Sequence, residues 1–162
     1  SAAEAWLLVD TEALAVTVMH DDQPQLTLHN VAIGRYGTTA DKLVGDKMTP
    51  LGRFRITHIA RSTAFHRFIG LSYPDAEHAQ NARRQGQISE QQLQAILSAH
   101  RLGKAPPHNT PLGGRIGIHG LGEADPDLHA AMNWTRGCVA LTDRQVDSLL
   151  PWLQIGMVVE IR

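Results

Sequence analysis

Cys138 is the only cysteine of this 162-residue chain, and it ends the segment Thr135-Arg136-Gly137-Cys138. His119 lies upstream, at the end of the alternating run Ile116-Gly117-Ile118. The thiolate is the reactive form of cysteine, and a neighbouring imidazole lowers the pKa of a thiol. The two residue types therefore predict a Cys/His nucleophile pair.

The residues beside this pair favour acyl chemistry. Gly137 removes a side chain just before the sulfur, which lets the backbone turn sharply and lets a substrate approach. The same glycine leaves backbone N–H groups free to face a developing oxyanion, which usually contributes most to acyl transfer. His119-Gly120 stands where a short strand enters a loop, and loops on rigid scaffolds often carry sites.

Three other interpretations stay open at this point. A single cysteine is usually a small buried apolar residue, and a histidine at a strand end is often only hydrogen-bonded at the surface. A zinc site could join His119 and Cys138 to a third ligand, His129 or His108. None of these residues has a tight ligand spacing such as C-x-x-C, so we expect no metal.

Composition excludes several classes of protein. The net charge is -1 and no basic cluster is present, so we expect no nucleic-acid partner. The apolar runs are too short for a membrane span. The chain begins at Ser1 and not at Met, so we expect a processed product whose export signal would lie upstream.

The periodicity of the first third predicts β-structure. Alternating and β-prone residues predict strands at 6–9, 14–19, 25–33 and 53–58. The alternation slips between Leu28 and Val31, which predicts a β-bulge there. The Gly-, Thr- and Pro-rich segment 34–52 predicts a long ordered loop.

Helical signals dominate the middle of the chain. Asp75 predicts the cap of a helix that ends near Gly86, and Ser89 with Gln92 forms a capping box for a second helix that ends at Gly103. This helical insert, about 75–103, has an apolar face that we expect to pack in the core, with a mobile lid or a partner surface as the alternative.

The last third returns to short strands and helices. We expect strands at 115–119 and 157–161, a short helix after Asp125-Pro126, and a helix capped by Thr142 with Gln145. The whole pattern predicts a fold that is mainly β with inserted helices.

Several blocks share their residues with one known family. They are Leu7-Leu8-Val9-Asp10 with the strand after it, the Gly-Asp…Thr-Pro-x-Gly-x-Phe block at 45–56, Phe65-His66 with 71–74, the His-Gly motif at 113–120, and the Thr-x-Gly-Cys motif at 135–139. In this order they resemble the L,D-transpeptidase catalytic domain (YkuD-like) of bacterial peptidoglycan metabolism, over nearly the whole chain, in a branch with a Thr-Arg-Gly-Cys-Val-Ala motif.

The resemblance implies a fold and a site. The fold would be a β-sandwich of mixed sheets with helices around it, in a single catalytic domain over 1–162. Cys138 would be the nucleophile and His119 its proton partner, with Gly137 and the N–H of Cys138 at the oxyanion. Thr135 matches the small hydroxyl residue that begins the cysteine motif. The family needs no metal or organic cofactor.

The chain departs from the family pattern at two positions. Arg136 stands where many members have His, and Ala140 where they have an arginine of the substrate site. We therefore place Arg136 with Thr135 and Gly120 among the substrate-binding candidates. The hypothesis is that Arg136 pairs with a stem-peptide carboxylate, and the alternative is a solvated charge.

The resemblance also implies a function in the periplasm or cell envelope. The leading expectation is a peptidoglycan L,D-transpeptidase that forms a thioester and expels the terminal D-alanine of stem peptides, with an envelope lipoprotein as a further candidate partner. The alternative is a cysteine hydrolase of the same fold, a carboxypeptidase or an amidase that cleaves a peptidoglycan attachment. The third is a non-catalytic cell-wall-binding module.

Overall fold

A computed structural model describes residues 4–162. Within these residues there are ten strands and four α-helices, with seven strands before the first helix, and a single 3-10 turn, Leu150–Trp152, follows the last helix. The elements are, in order, β1 (Ala5–Asp10), β2 (Ala15–His20), β3 (Gln23–His29), β4 (Thr38–Thr39), β5 (Thr49–Pro50), β6 (Gly52–Ser62), β7 (His66–Leu71), α1 (Ala76–Arg84), α2 (Glu90–Arg101), β8 (Gly117–His119), α3 (Pro126–Ala131), β9 (Val139–Ala140), α4 (Asp143–Leu149) and β10 (Val158–Ile161).

Eight of the strands form one mixed sheet, in the order β3-β2-β1-β10-β6-β7-β8-β9. The pairs β1–β10 and β8–β9 are parallel, and the other neighbours are antiparallel. Strands β4 and β5 pair with each other outside this sheet. The predicted class, mainly β with inserted helices, is confirmed.

The core lies on one face of the sheet, where strand alternation directs every second side chain. Leu7 and Val9 of β1, Phe54 of β6 and Ile118 of β8 are almost wholly buried in one apolar cluster. Burial of a side chain of this size stabilises the fold by about 1.5–3 kcal/mol. The short strands β8 and β9 are therefore fixed by the core beneath them.

The helical insert packs inward, as expected. The Asp75 side chain accepts the N–H of His78 at the start of α1, and the Ser89–Gln92 capping box starts α2. Ala79, Ala82, Leu93 and Ile96 of these helices are buried in the main apolar cluster. The insert is thus a part of the core and its apolar face is not free to act as a lid.

Two expectations about the strands were wrong. Strand β3 ends at His29, because Asn30 has a positive φ of 60° and turns the chain away. The register shift lies between Val18 and Met19 of β2, so the bulge predicted between Leu28 and Val31 does not form. Strand β7 was not predicted, because its apolar residues follow His66 and Arg67 and do not alternate with polar ones.

Candidate active site

The register of two parallel strands brings together the chain segments that carry the predicted nucleophile and the predicted base. His119 of β8 is opposite Ala140 of β9, and Cys138 precedes Ala140 by two residues. Side chains two residues apart on a strand share a face. Cys138 comes directly before β9, so the backbones of Cys138 and His119 lie at the same edge of the sheet.

His119 lies in an aromatic cage. Its ring stacks on Phe65 with 4.0 Å between the centroids, and Phe68 and Trp134 each lie 6.2 Å away. Only 3% of the residue is exposed. Burial lowers the pKa of His119 because the charged imidazolium loses hydration, so the ring is held neutral.

The orientation of the His119 ring is fixed by a backbone acceptor. The Nδ1–H donates to the carbonyl oxygen of Gly120 over 2.7 Å, which leaves Nε2 as the unprotonated nitrogen. The carboxylate of Asp143 accepts the N–H groups of Leu121 and Gly122 at 2.8 and 3.0 Å and so holds the following loop. Sequence analysis missed this role of Asp143.

Gly120 has a packing role. A Cβ at this position would lie 2.5 Å from Oδ1 of Asp143 and 2.8 Å from the carbonyl oxygen of Phe65. Both atoms belong to the framework around His119. The glycine therefore permits the close approach that fixes the ring, while its predicted substrate contact stays a prediction.

Thr135 organises the turn that carries the cysteine. Its hydroxyl donates to the carbonyl oxygen of Cys138 at 2.6 Å and accepts the N–H of Gly137 at 3.1 Å. The residue is only 4% exposed. Its hydroxyl is thus used within the turn, and the N–H of Gly137 is engaged there as well.

The sulfur of Cys138 is half-buried between backbone groups. Its Sγ–H donates to the carbonyl oxygen of Arg115 at 3.4 Å. Burial raises the pKa of the thiol to about 11, although a hydrogen bond from the Gly117 backbone and the charge of Lys42 both act to lower it. In the resting protein the thiol of Cys138 and the imidazole of His119 are therefore both neutral.

A buried lysine behind the cysteine turn was missed by sequence analysis. Lys42 is 4% exposed, and its Nζ donates to Oδ1 of Asp46 and to the carbonyl oxygen of Met48, both at 2.7 Å. A Cβ on Gly137 would lie 3.0 Å from this Nζ. The only available signal was the matched Gly-Asp block, which includes Asp46 but not the lysine.

Two arginines flank Cys138. Arg136 is exposed in the cysteine turn. Arg115, missed earlier, is exposed as well; its Nη2 lies 3.0 Å from Nε2 of His108, and it has a positive φ of 55°. Ala140 is fully buried, and its backbone pairs with Ala32.

The residues of the zinc alternative do not come together. Among residues 4–162, no three His, Cys, Asp or Glu side chains are grouped closely enough to hold a metal ion. His129 is instead buried and accepts the indole N–H of Trp134 at Nδ1 over 3.1 Å. His108 contacts Arg115, as described above.

The comparison with protein families identifies the class. The model of the L,D-transpeptidase catalytic domain (YkuD) matches residues 4–161. The chain belongs to this family, so the resemblance found in the sequence is confirmed. A search of curated proteins finds no match.

Solved structures share the fold at low identity. The helical cell shape determining protein Pgp2 from Campylobacter jejuni has a TM-score of 0.65 and 17% identity, over 98% of this chain and 47% of that one. Bd1075 from Bdellovibrio bacteriovorus has a TM-score of 0.62 and 16% identity, over 99% of this chain and 48% of that one. An L,D-transpeptidase from Mycobacterium smegmatis has a TM-score of 0.55 and 11% identity, over 99% of this chain and 59% of that one.

The chain therefore spans about half the length of the first two of these proteins. At such identities the likeness concerns the fold. Within the described part of the chain, none of the helices has the length and apolar character needed to cross a membrane.

Proposed function

We propose that the protein is a cysteine acyltransferase of peptidoglycan, acting on stem peptides in the bacterial cell envelope. The observation that carries the proposal is that β8, which ends at His119, pairs in parallel with β9, which begins directly after Cys138, and that Nδ1 of His119 is anchored on Gly120. Membership of the L,D-transpeptidase family supports the substrate class.

The first half-reaction forms the thioester. The sulfur of Cys138 attacks the carbonyl carbon of the third residue of a stem tetrapeptide, while its proton passes to Nε2 of His119. The C–N bond to the terminal D-alanine then breaks, and the imidazolium returns the proton to the leaving amine. Since both groups are neutral at rest, proton transfer and attack are coupled.

The developing oxyanion needs a donor close to the sulfur. The N–H of Gly137 is engaged by Thr135. The N–H of Cys138 makes no hydrogen bond with any of residues 4–162, and we assign it this role. A donor preorganised in this way contributes about 3–4 kcal/mol to transition-state stabilisation in comparable sites.

The second half-reaction decides the type of enzyme. An amine of a neighbouring stem peptide, or of an envelope lipoprotein, would take the acyl group in a transpeptidase, and water would take it in a hydrolase. The exposed guanidinium groups of Arg115 and Arg136 beside the cysteine can hold carboxylates of the peptide donor or acceptor. We take a peptide acceptor as the leading form of the proposal.

Product analysis by mass spectrometry tests the proposal. The protein and its Cys138→Ala variant are incubated with purified disaccharide-tetrapeptide and with cross-linked or lipoprotein-loaded wall fragments. Dimers linked through third residues, absent with the variant, are the expected result. Tripeptides or released attachments without new dimers would identify the hydrolase. If no product depends on Cys138, both the transpeptidase and the hydrolase are overturned, and a non-catalytic binding module is left.

A further inference from the structure

Lys42 is a buried charge that the proposed mechanism does not use. It lies in the loop between β4 and β5, and its Nζ donates to Asp46 and to the Met48 carbonyl. The same nitrogen faces the Cα of Gly137, directly before the nucleophile. A lysine is rarely buried without a reason, because loss of hydration is costly.

The ion pair between Lys42 and Asp46 has a defined orientation in the fold. The carboxylate of Asp46 lies near Tyr73: burial raises the pKa of that phenol first, and the negative charge of Asp46 raises it further. Asp46 also accepts the N–H groups of Leu43 and Met48. The negative end thus faces the loop and Tyr73, and the positive end faces the turn of Cys138.

The other charged groups around Cys138 cannot take the place of this ammonium. His119 on the neighbouring strand is held neutral by burial. The guanidinium groups of Arg115 and Arg136 are exposed to solvent, which screens their charges. Lys42 is therefore the one buried cation close to the sulfur among the described residues, and a charge in a poorly hydrated site acts strongly over short distances.

We propose that Lys42 is a positioning residue whose ammonium, oriented by Asp46 and the Met48 carbonyl, stabilises negative charge on the Cys138 sulfur from behind Gly137. The absence of a side chain at Gly137 allows this approach. The inference rests on Cys138 being the reacting group. It concerns ionisation of the thiol and needs no particular acyl donor or acceptor.

The test is the pH dependence of Cys138 alkylation by iodoacetamide, which reports on one site because the chain has a single cysteine. In Lys42→Met the midpoint should move up by about one pH unit, a roughly tenfold slower reaction at neutral pH. Lys42→Arg should keep the midpoint close to that of the parent protein. Asp46→Asn removes the negative charge that opposes the Lys42 ammonium, so the pH midpoint of Cys138 alkylation should stay the same or fall.

Comparison of Lys42→Met with Asp46→Asn distinguishes an effect of the Lys42 charge from a purely structural role of this residue. If Lys42 only held the loop together, Lys42→Met and Asp46→Asn would alter the alkylation rate in the same direction and in proportion to their loss of melting temperature. That result, or an unchanged midpoint in Lys42→Met, would overturn the inference. If Lys42→Met does not fold, the Asp46→Asn variant is sufficient for the test. A raised pH midpoint of alkylation in that variant would overturn the inference. Alkylation needs no peptidoglycan, so this failure is distinguishable from failure of the proposed function.

Discussion

His119 donates its Nδ1 proton to the carbonyl oxygen of the next residue, Gly120, over 2.7 Å. This bond fixes the neutral tautomer and directs Nε2 away from its own backbone. Asp143 in turn holds the loop after Gly120 through two backbone N–H groups. The first turn of α4 therefore holds the loop that follows the acceptor of the His119 proton.

The stability of the protein should fall with acid because of His119. Burial lowers the pKa of its imidazole below the ordinary value of about 6.5, so the unfolded chain binds the proton first as the pH falls. The parent protein should therefore lose free energy of unfolding below about pH 6.5, by at most about 1.4 kcal/mol per pH unit, relative to His119→Gln. Urea unfolding at several pH values measures this difference.

His78 is the matched control for this experiment. Burial alone would lower its pKa, but the hydrogen bond and charge of Asp75 outweigh burial and raise it. Its contribution to stability is present below the unfolded pKa and is lost as the pH rises through the folded one. His78→Gln should thus show the opposite sign, and equal pH profiles for the parent protein and His119→Gln would contradict the account.

Replacement of Gly137 should damage the site more than an ordinary glycine replacement. Gly137→Ala would place a Cβ 2.9 Å from the Met48 carbonyl oxygen and 3.0 Å from Nζ of Lys42, at a φ of +142°. Gly86→Ala has a φ of +74° but open space around the new Cβ, so it costs only about 1–2 kcal/mol of backbone strain.

The two glycine variants are compared by thermal unfolding and by the rate of Cys138 alkylation. We expect a larger loss of melting temperature in Gly137→Ala, and a changed alkylation rate in that variant only. Equal losses in the two proteins would show that the contact between Lys42 and Gly137 is unimportant.

Arg136 should contribute to recognition of the acyl donor. It is exposed beside the nucleophile, and a guanidinium binds a carboxylate with two hydrogen bonds. We expect Arg136→Ala to raise KM for the tetrapeptide donor about tenfold, which corresponds to about 1.4 kcal/mol, with little change in kcat. Steady-state kinetics, with Arg115→Ala measured in parallel, shows which arginine binds the donor. An unchanged KM in Arg136→Ala would show that the Arg136 side chain is only a solvated charge.

Local signals in the sequence predicted local structure well. The capping boxes at Ser89 and Thr142 and the proline after Asp125 each mark a helix start within a few residues, because a cap is a bond between near neighbours. The Cys138 and His119 motifs were found for a similar reason, since each motif is short and contiguous.

Features that depend on distant pairing were not predictable. Lys42 stands in a polar loop, where a lysine usually indicates a surface, and its burial depends on contact with the distant turn at Gly137. The bulge in β2 depends on the register with β3. Arg115 and His108 approach each other only when the loop before β8 folds back on itself.

The formation of a thioester on Cys138 is the central claim, and intact-protein mass spectrometry tests it most directly. The protein is mixed with disaccharide-tetrapeptide and quenched in acid within the first turnovers. We predict an adduct with the mass of the donor acyl group without its terminal D-alanine, located on Cys138 by peptide mapping and absent in Cys138→Ala. Product formation that persists in Cys138→Ala, or an adduct on another residue, would contradict the account.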